Sequence, residues 1–196
     1  MNRSGRYRCV FFHVPRTGGS SIASLGWWDR WTGHFPRAAE APPGDGYYRF
    51  AFVRDPWDRF VSLYHYFAAM TPAHRWYRPN ARLATAVQRV GSFAEFCRRF
   101  DTWPHRDHFH FWPQYRWITD DDGSRLVDFV GRFERLPDDF SHVCRQVGAD
   151  CVPLPRHNRS PHGPYRQYYD EQSWQIVGDR YRRDVRMFQY DGCPDR

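Results

Sequence analysis

The chain contains no lysine. All 29 of its basic residues are arginine, set against 22 acidic ones, for a net charge of +7. The absence excludes the phosphate loop G-x-x-x-x-G-K-[ST], whose lysine reaches the outer phosphates of a nucleotide. There is no C-x-x-C pair among the five cysteines, Cys9, Cys97, Cys144, Cys151 and Cys193. An odd count at these spacings makes neither a zinc knuckle nor a disulfide framework. Cys144 and Cys151 are near enough in sequence to pair, but free buried thiols are expected of a cytosolic chain. No apolar run approaches the roughly 20 residues of a spanning helix. The apolar run near the start covers about eight residues, too short for a signal peptide followed by a cleavage site. The expectation is a soluble, cytoplasmic protein without a membrane span. Repeats and low-complexity tracts are also missing. The arginines are scattered rather than run together, which argues against a nucleic-acid-binding tail while still favouring an anionic partner.

What is present fits a folded globule: 196 residues, 41% hydrophobic and 19% aromatic, enough for one domain over 1–196 with a sizeable core. Residues 7–14 read as a strand and 20–30 as a helix. Residues 32–46, with three prolines, read as a loop, and 48–53 as a second buried strand. Asp55-Pro56 supplies an N-cap and a first-turn proline, and Trp57, Phe60, Val61, Tyr64, Phe67 and Ala68 follow at helical spacing. Residues 71–90 give no clear pattern. Ser92-Phe93-Ala94-Glu95 is a capping box for a helix to Phe100. Residues 126–133 read as a strand and 137–147 as a helix stopped by Gly148. Asp170 caps a last helix with Trp174, Val177, Tyr181 and Val185 on its inner face. Strands alternating with helices predict an α/β fold with a central, mainly parallel sheet flanked by helices.

The most informative stretch is "CVFFHVPRTGGSSIASL", a strand that breaks into Pro-Arg-Thr-Gly-Gly-Ser-Ser and resumes as a helix. Gly18 and Gly19 let the backbone pass close to an anion. Thr17, Ser20 and Ser21 add hydroxyls, and Arg16 adds a charge. The alternative is a strand-to-helix turn that binds nothing. Arg54 ends the second strand and Ser62 lies two turns into the next helix. In an open parallel sheet, ligands sit beyond the carboxyl ends of the strands, which puts the Arg16 loop and Arg54 at one edge. Taken alone, Arg54 is as well explained as a partner of Asp55 or Asp58.

Together, "FFHVPRTGGSSI" and "FAFVRDPWDRFVSLYHY" resemble the sulfotransferases that use 3′-phosphoadenosine 5′-phosphosulfate (PAPS), in particular the carbohydrate sulfotransferases of the heparan sulfate 2-O-sulfotransferase and chondroitin sulfotransferase type. "FWPQYRW", "VDFVGRFERLPDDF" and "LPRHNRSPHGPYRQYYD" extend the resemblance from about residue 8 to 191. The resemblance implies a fold of the P-loop nucleotide-kinase kind. It also implies transfer of sulfonate to a hydroxyl on a glycan or glycoconjugate, leaving adenosine 3′,5′-bisphosphate (PAP), with no metal. Arg16, Thr17, Gly18, Gly19, Ser20 and Ser21 would surround the phosphosulfate, and Arg54 and Ser62 would hold the 3′-phosphate. Where this chain has Arg16 the relatives carry Lys, which steadies the bridging oxygen. Arginine keeps the charge but not the shape.

The reaction needs a base for the acceptor hydroxyl, and histidine suits that work near neutral pH. His34, in "TGHF", falls where the resemblance places a Gly-His catalytic position. His13, beside the loop, reads as fixed by the strand and His65 as a helix-face residue, which leaves Glu40 and Asp45 as the fallbacks. His105, His108 and His110 lack a second cluster at zinc-like spacing, so that aromatic stretch reads as acceptor lining or as packing. Arg156, Arg159 and Arg166 belong to a last loop where relatives place donor and acceptor contacts. Asn158-Arg159-Ser160 matches a glycosylation sequon by accident. The competing functions are a small nucleotide-kinase-like phosphotransferase and a non-catalytic binder of PAP.

Overall fold

The computed structural model describes residues 2–34, 46–155, 157 and 162–190. The chain forms two compact units, Met1–Arg54 with Pro113–Arg159, and Asp55–Trp112 with Ser160–Arg196. Each is built from two separated segments.

The first unit holds a four-stranded sheet in the order β1-β2-β3-β4, with β1 Asn2–Ser4, β2 Cys9–Phe12, β3 Tyr48–Val53 and β4 Phe129–Arg132. β1 runs antiparallel to β2, while β2–β3 and β3–β4 are parallel. The α/β class with a mostly parallel sheet is therefore as expected, with an antiparallel edge strand that the sequence did not announce. Phe11 aligns with Phe50, and Phe52 with Gly131, so one face presents Cys9, Phe11, Phe50 and Phe52. Onto it pack Ile22 of α1 (Gly19–Ala23), Trp27, and Phe140, Val143 and Cys144 of α5 (Leu136–Val147). Val10, Phe12, Ala51 and Val53, on the other face, are buried too, which is why these strands read as unbroken apolar runs rather than alternating ones. A side chain at Gly131 would collide with the Phe52 ring.

The second unit is helical. It comprises α2 (Pro56–Ala68), α3 (Tyr77–Gln88), α4 (Phe93–Arg99), α6 (Glu171–Arg180) and α7 (Arg182–Met187). Asp55 caps α2 by accepting from the N–H groups of Trp57 and Asp58, and Ser92 caps α4 by accepting from Glu95. Asp170 and Ser173 form a reciprocal capping box on α6. The core is an aromatic cluster of Phe60, Phe67, Phe93, Phe96, Phe100 and Phe111, with Trp57 stacked on Trp174 at 4.6 Å. Arg59, almost fully buried here, donates from Nη2 to the His110 carbonyl at 2.8 Å, which answers the cost of burying its charge.

Several sequence expectations need correction. The strand expected over 7–14 spans only Cys9–Phe12, and the helix expected over 20–30 ends at Ala23. Gly26 is left-handed at φ 67°, and the Trp28 indole takes the Ile22 carbonyl at 2.9 Å, so the turn closes before the apolar pattern ends. The strand expected over 126–133 spans only Phe129–Arg132, and the last helix breaks at Tyr181 into two. Trp103, Phe111 and Trp117 are buried, so these rings of the aromatic stretch serve packing rather than lining an acceptor. Of the described cysteines, Cys9, Cys97 and Cys144 are buried and free, and Cys151 is free but exposed. Burial pushes the Cys9 thiol up to about 12, aided by nearby Asp29, so it stays protonated. Among the described residues no helix is long and apolar enough to cross a membrane.

Candidate active site

The loop after β2 is shaped by two left-handed residues, Arg16 at φ 68° and Gly18 at φ 89°. Glycine tolerates that region freely, whereas an arginine there carries a cost of about 1–2 kcal/mol. The Thr17 hydroxyl is turned inward and donates to the Val14 carbonyl at 2.9 Å, and Thr17 is fully buried. In this arrangement the hydroxyl holds the loop to the strand end. The Ser21 N–H is taken by the Gly18 carbonyl at 3.0 Å, and Ser21 Oγ accepts from the His157 N–H at 3.4 Å. Pro15 and Arg16 form a turn that directs the Thr17 N–H back toward Val14, while among the described residues the N–H groups of Gly18 and Gly19 donate to nothing. Two successive open amides beside a left-handed glycine are the kind of backbone feature that can face an anion.

Both glycines are required by close approach. A Cβ on Gly18 would lie 2.7 Å from Leu136 Cδ2, and one on Gly19 would overlap the His13 imidazole. The loop therefore rests on the start of α5 on one side and on His13 on the other.

Arg54 reaches this loop. Its Nη1 donates to the Arg16 carbonyl at 3.3 Å, and its guanidinium lies over the Phe133 ring at 4.3 Å. Its backbone is held from both sides by one buried side chain: Gln114 Oε1 accepts the Arg54 N–H at 2.9 Å, and Gln114 Nε2 donates to the Arg54 carbonyl at 2.7 Å. Nothing in the sequence pointed to Gln114, because a glutamine inside an aromatic run carries no local signal.

His34 also sits in this unit, half-buried. Its Nδ1 is 3.1 Å from the His13 carbonyl, and the two rings are 4.0 Å apart. A carbonyl only accepts, so Nδ1 carries the proton there and Nε2 keeps the lone pair, the tautomer a base requires. Asn2, fully buried in β1, fixes the segment before it. Its side chain donates to the carbonyls of Phe11 and Gly33, at 3.2 and 2.9 Å, and accepts from the N–H groups of Thr32 and Gly33, at 2.9 and 3.1 Å. That anchor went unread because it joins residues 30 apart through a three-residue strand.

The first unit thus brings together Arg16, Thr17, Gly18, Gly19, Ser20, Ser21, His34 and Arg54. Ser62 and Arg166 belong to the second unit. There Ser62 is fully buried in α2, and the Arg166 guanidinium stands 5.4 Å over the Trp174 ring. His65 is half-buried against His162 and Tyr168; burial, then the neighbouring His162, lowers its pKa. His108 and His110 stack on each other at 5.0 Å, and burial, then His105, lowers the pKa of His108. Among the described residues no group of three or more His, Cys, Asp or Glu is arranged to hold a metal. Glu40, Asp45, Arg156, Asn158, Arg159, Ser160 and Cys193 lie outside the described residues.

No solved structure matches the chain. An uncharacterized protein of Archaeoglobus fulgidus is 33% identical over 106 residues, covering 53% of this chain and 70% of that one. The sulfotransferase family model matches residues 24–191, beginning just past the loop and spanning β3, Arg54 and every later element. The chain belongs to the sulfotransferase family, and its chemistry is sulfotransfer.

Proposed function

We infer that residues 1–196 act as one sulfotransferase domain that moves sulfonate from PAPS to a hydroxyl of a carbohydrate. The observation that carries this reading is the meeting, inside one unit, of a loop with two open glycine amides and the Arg54 guanidinium 3.3 Å from that loop's Arg16 carbonyl. A donor phosphorylated at both ends needs two anion sites a short distance apart, and the residues present fit one.

Bound there, PAPS supplies an activated sulfur whose bond to the 5′-phosphate oxygen breaks as the acceptor oxygen bonds to it. The amides of Gly18 and Gly19 and the Arg16 charge stabilise the negative charge left on that phosphate. Fixed dipoles aimed at developing charge are a large source of rate. Arg54 holds the 3′-phosphate. His34 Nε2 takes the acceptor proton, and the His13 carbonyl at Nδ1 steadies the imidazolium that results. Ser62 and Arg166 are assigned to the donor by resemblance alone, and no step is rested on them.

Calorimetry with PAP and AMP tests the donor assignment. PAP is expected to bind at least about tenfold tighter, a preference that Arg54→Gln removes, since hydrogen bonds to charged groups contribute about 1.5–3 kcal/mol. Equal affinity for PAP and AMP in the wild type refutes it. Labelled PAPS with a panel of glycans then identifies the acceptor.

A further inference from the structure

Between Asp58 and Glu95 the chain has no carboxylate side chain, yet it carries Arg75, Arg78, Arg82 and Arg89. The structure puts these on one exposed line. α3 buries Leu83, Ala84 and Val87 in the core of the second unit. At about 100° per residue, Arg78, Arg82 and Arg89 fall within an arc of roughly 40° on the side away from those three. Arg89 caps the helix with its N–H still bonded to the Thr85 carbonyl, so the line runs unbroken for about 16 Å along the axis. Arg75 extends it into the preceding turn.

That turn is built rather than loose. The Trp76 N–H donates to His74 Nδ1 at 3.2 Å, and the Trp76 carbonyl accepts from Asn80 at 2.9 Å. The Trp76 ring, 48% exposed, carries the Arg75 guanidinium at 4.7 Å. All four arginines are exposed, and none forms an ion pair among the described residues. Arg78 and Arg82, four apart, repel each other and weaken the helix. A row of cations without counter-charges, kept at a cost to its own helix, calls for a ligand that supplies the anions.

We propose that this face of α3 docks an anionic polysaccharide, a chain bearing sulfates or uronates, as a grip on the polymer separate from the donor-binding residues of the first unit. It rests on the carbohydrate reading above for the class of polymer. Guanidinium forks match carboxylate and sulfate oxygens in pairs. A line of them along a helix engages a linear chain, and an exposed indole offers a flat face to a sugar ring. Trp76 is the only large exposed apolar side chain in this part of the chain among the described residues, so the surface has no wedge for inserting into a lipid layer.

The test measures binding alone, with a size-defined heparin oligosaccharide, an uncharged dextran of equal length, and single-stranded DNA of matched charge as probes. The triple variant Arg78→Gln, Arg82→Gln, Arg89→Gln is set against a control that removes equal charge elsewhere: Arg6→Gln, Arg125→Gln, Arg145→Gln. Wild type is expected to bind heparin and not dextran. The α3 variant should lose about tenfold or more, with the slope of log K on log salt shallower by about two, and Trp76→Ala should weaken binding several-fold. Equal loss in the control variant overturns the proposal, since binding would follow net charge alone. Unchanged heparin affinity in the α3 variant overturns it as well. Tighter binding of DNA than of heparin, lost in the α3 variant, replaces the glycan by nucleic acid. PAP affinity is measured alongside: it should be unchanged in the α3 variant, and its absence from the wild type refutes the donor reading while leaving this test readable.

Discussion

Gly19→Ala is the sharpest probe of the loop. Gly19 has helical backbone, and in an open helix position alanine would stabilise by up to about 1 kcal/mol. Here the new methyl overlaps the His13 ring. That ring cannot swing aside cheaply: it is buried, stacked with Phe11 at 5.4 Å, and in contact with Trp31 and His34 at 5.6 and 4.0 Å between centroids. Overpacking of this kind costs about 1–3 kcal/mol, so the net effect is a loss of about 1 kcal/mol, opposite in sign to the helix-propensity expectation. Urea unfolding would show a lower midpoint at unchanged slope. Calorimetry would show weaker PAP binding, because either the loop or the ring must yield. Adding His13→Ala removes the obstacle, so the double variant should be more stable than the sum of the single effects by about 0.5–3 kcal/mol. A Gly19→Ala protein more stable than wild type with unchanged PAP affinity, or strict additivity in the double variant, would refute the close approach.

Two further predictions concern the histidines. His34→Ala should lower the transfer rate by about 10²–10⁴-fold while leaving PAP affinity intact, and an unchanged rate assigns the base elsewhere. A wild type that binds PAP but transfers nothing to any acceptor is a binder only. Burial lowers the pKa of His65 and His108, so each takes up a proton more readily in the unfolded chain. Their contribution is therefore complete above the ordinary imidazole pKa of about 6.5 and is lost as pH falls below it. Unfolding free energies measured from pH 8 to 5 should fall less steeply in the His65→Gln, His108→Gln double variant than in wild type; parallel curves would contradict the assignment.

The readable parts of this chain were those written in short-range code. Asp55-Pro56, Ser92 with Glu95, Gly148 and Asp170 each settle a helix end within three or four residues, and β3 is an unbroken apolar run. The unreadable parts depend on long-range partners. β1 is three polar residues whose meaning lies in Asn2 holding Thr32 and Gly33. α1 stops early because a tryptophan five residues beyond its end claims a carbonyl. α3 was hidden by a proline at its third position and only three buried residues. At the site, the residue types around Arg16 and Arg54 were visible from composition and order. The inward turn of the Thr17 hydroxyl and the clamp of Gln114 on Arg54 were not, since both are decided by geometry.

That clamp has a further consequence. β3 ends its ladder at Val53, yet Arg54 is hydrogen-bonded on both its N–H and its carbonyl, as if a neighbouring strand ran one residue further. A single amide side chain acts as that strand. The ordering entropy of the Arg54 backbone, about 1–2 kcal/mol for one residue, is therefore met when the chain folds and not when an anion arrives. Arg54 meets its ligand already aimed, and the affinity it contributes is not discounted by the cost of stilling the backbone beneath it.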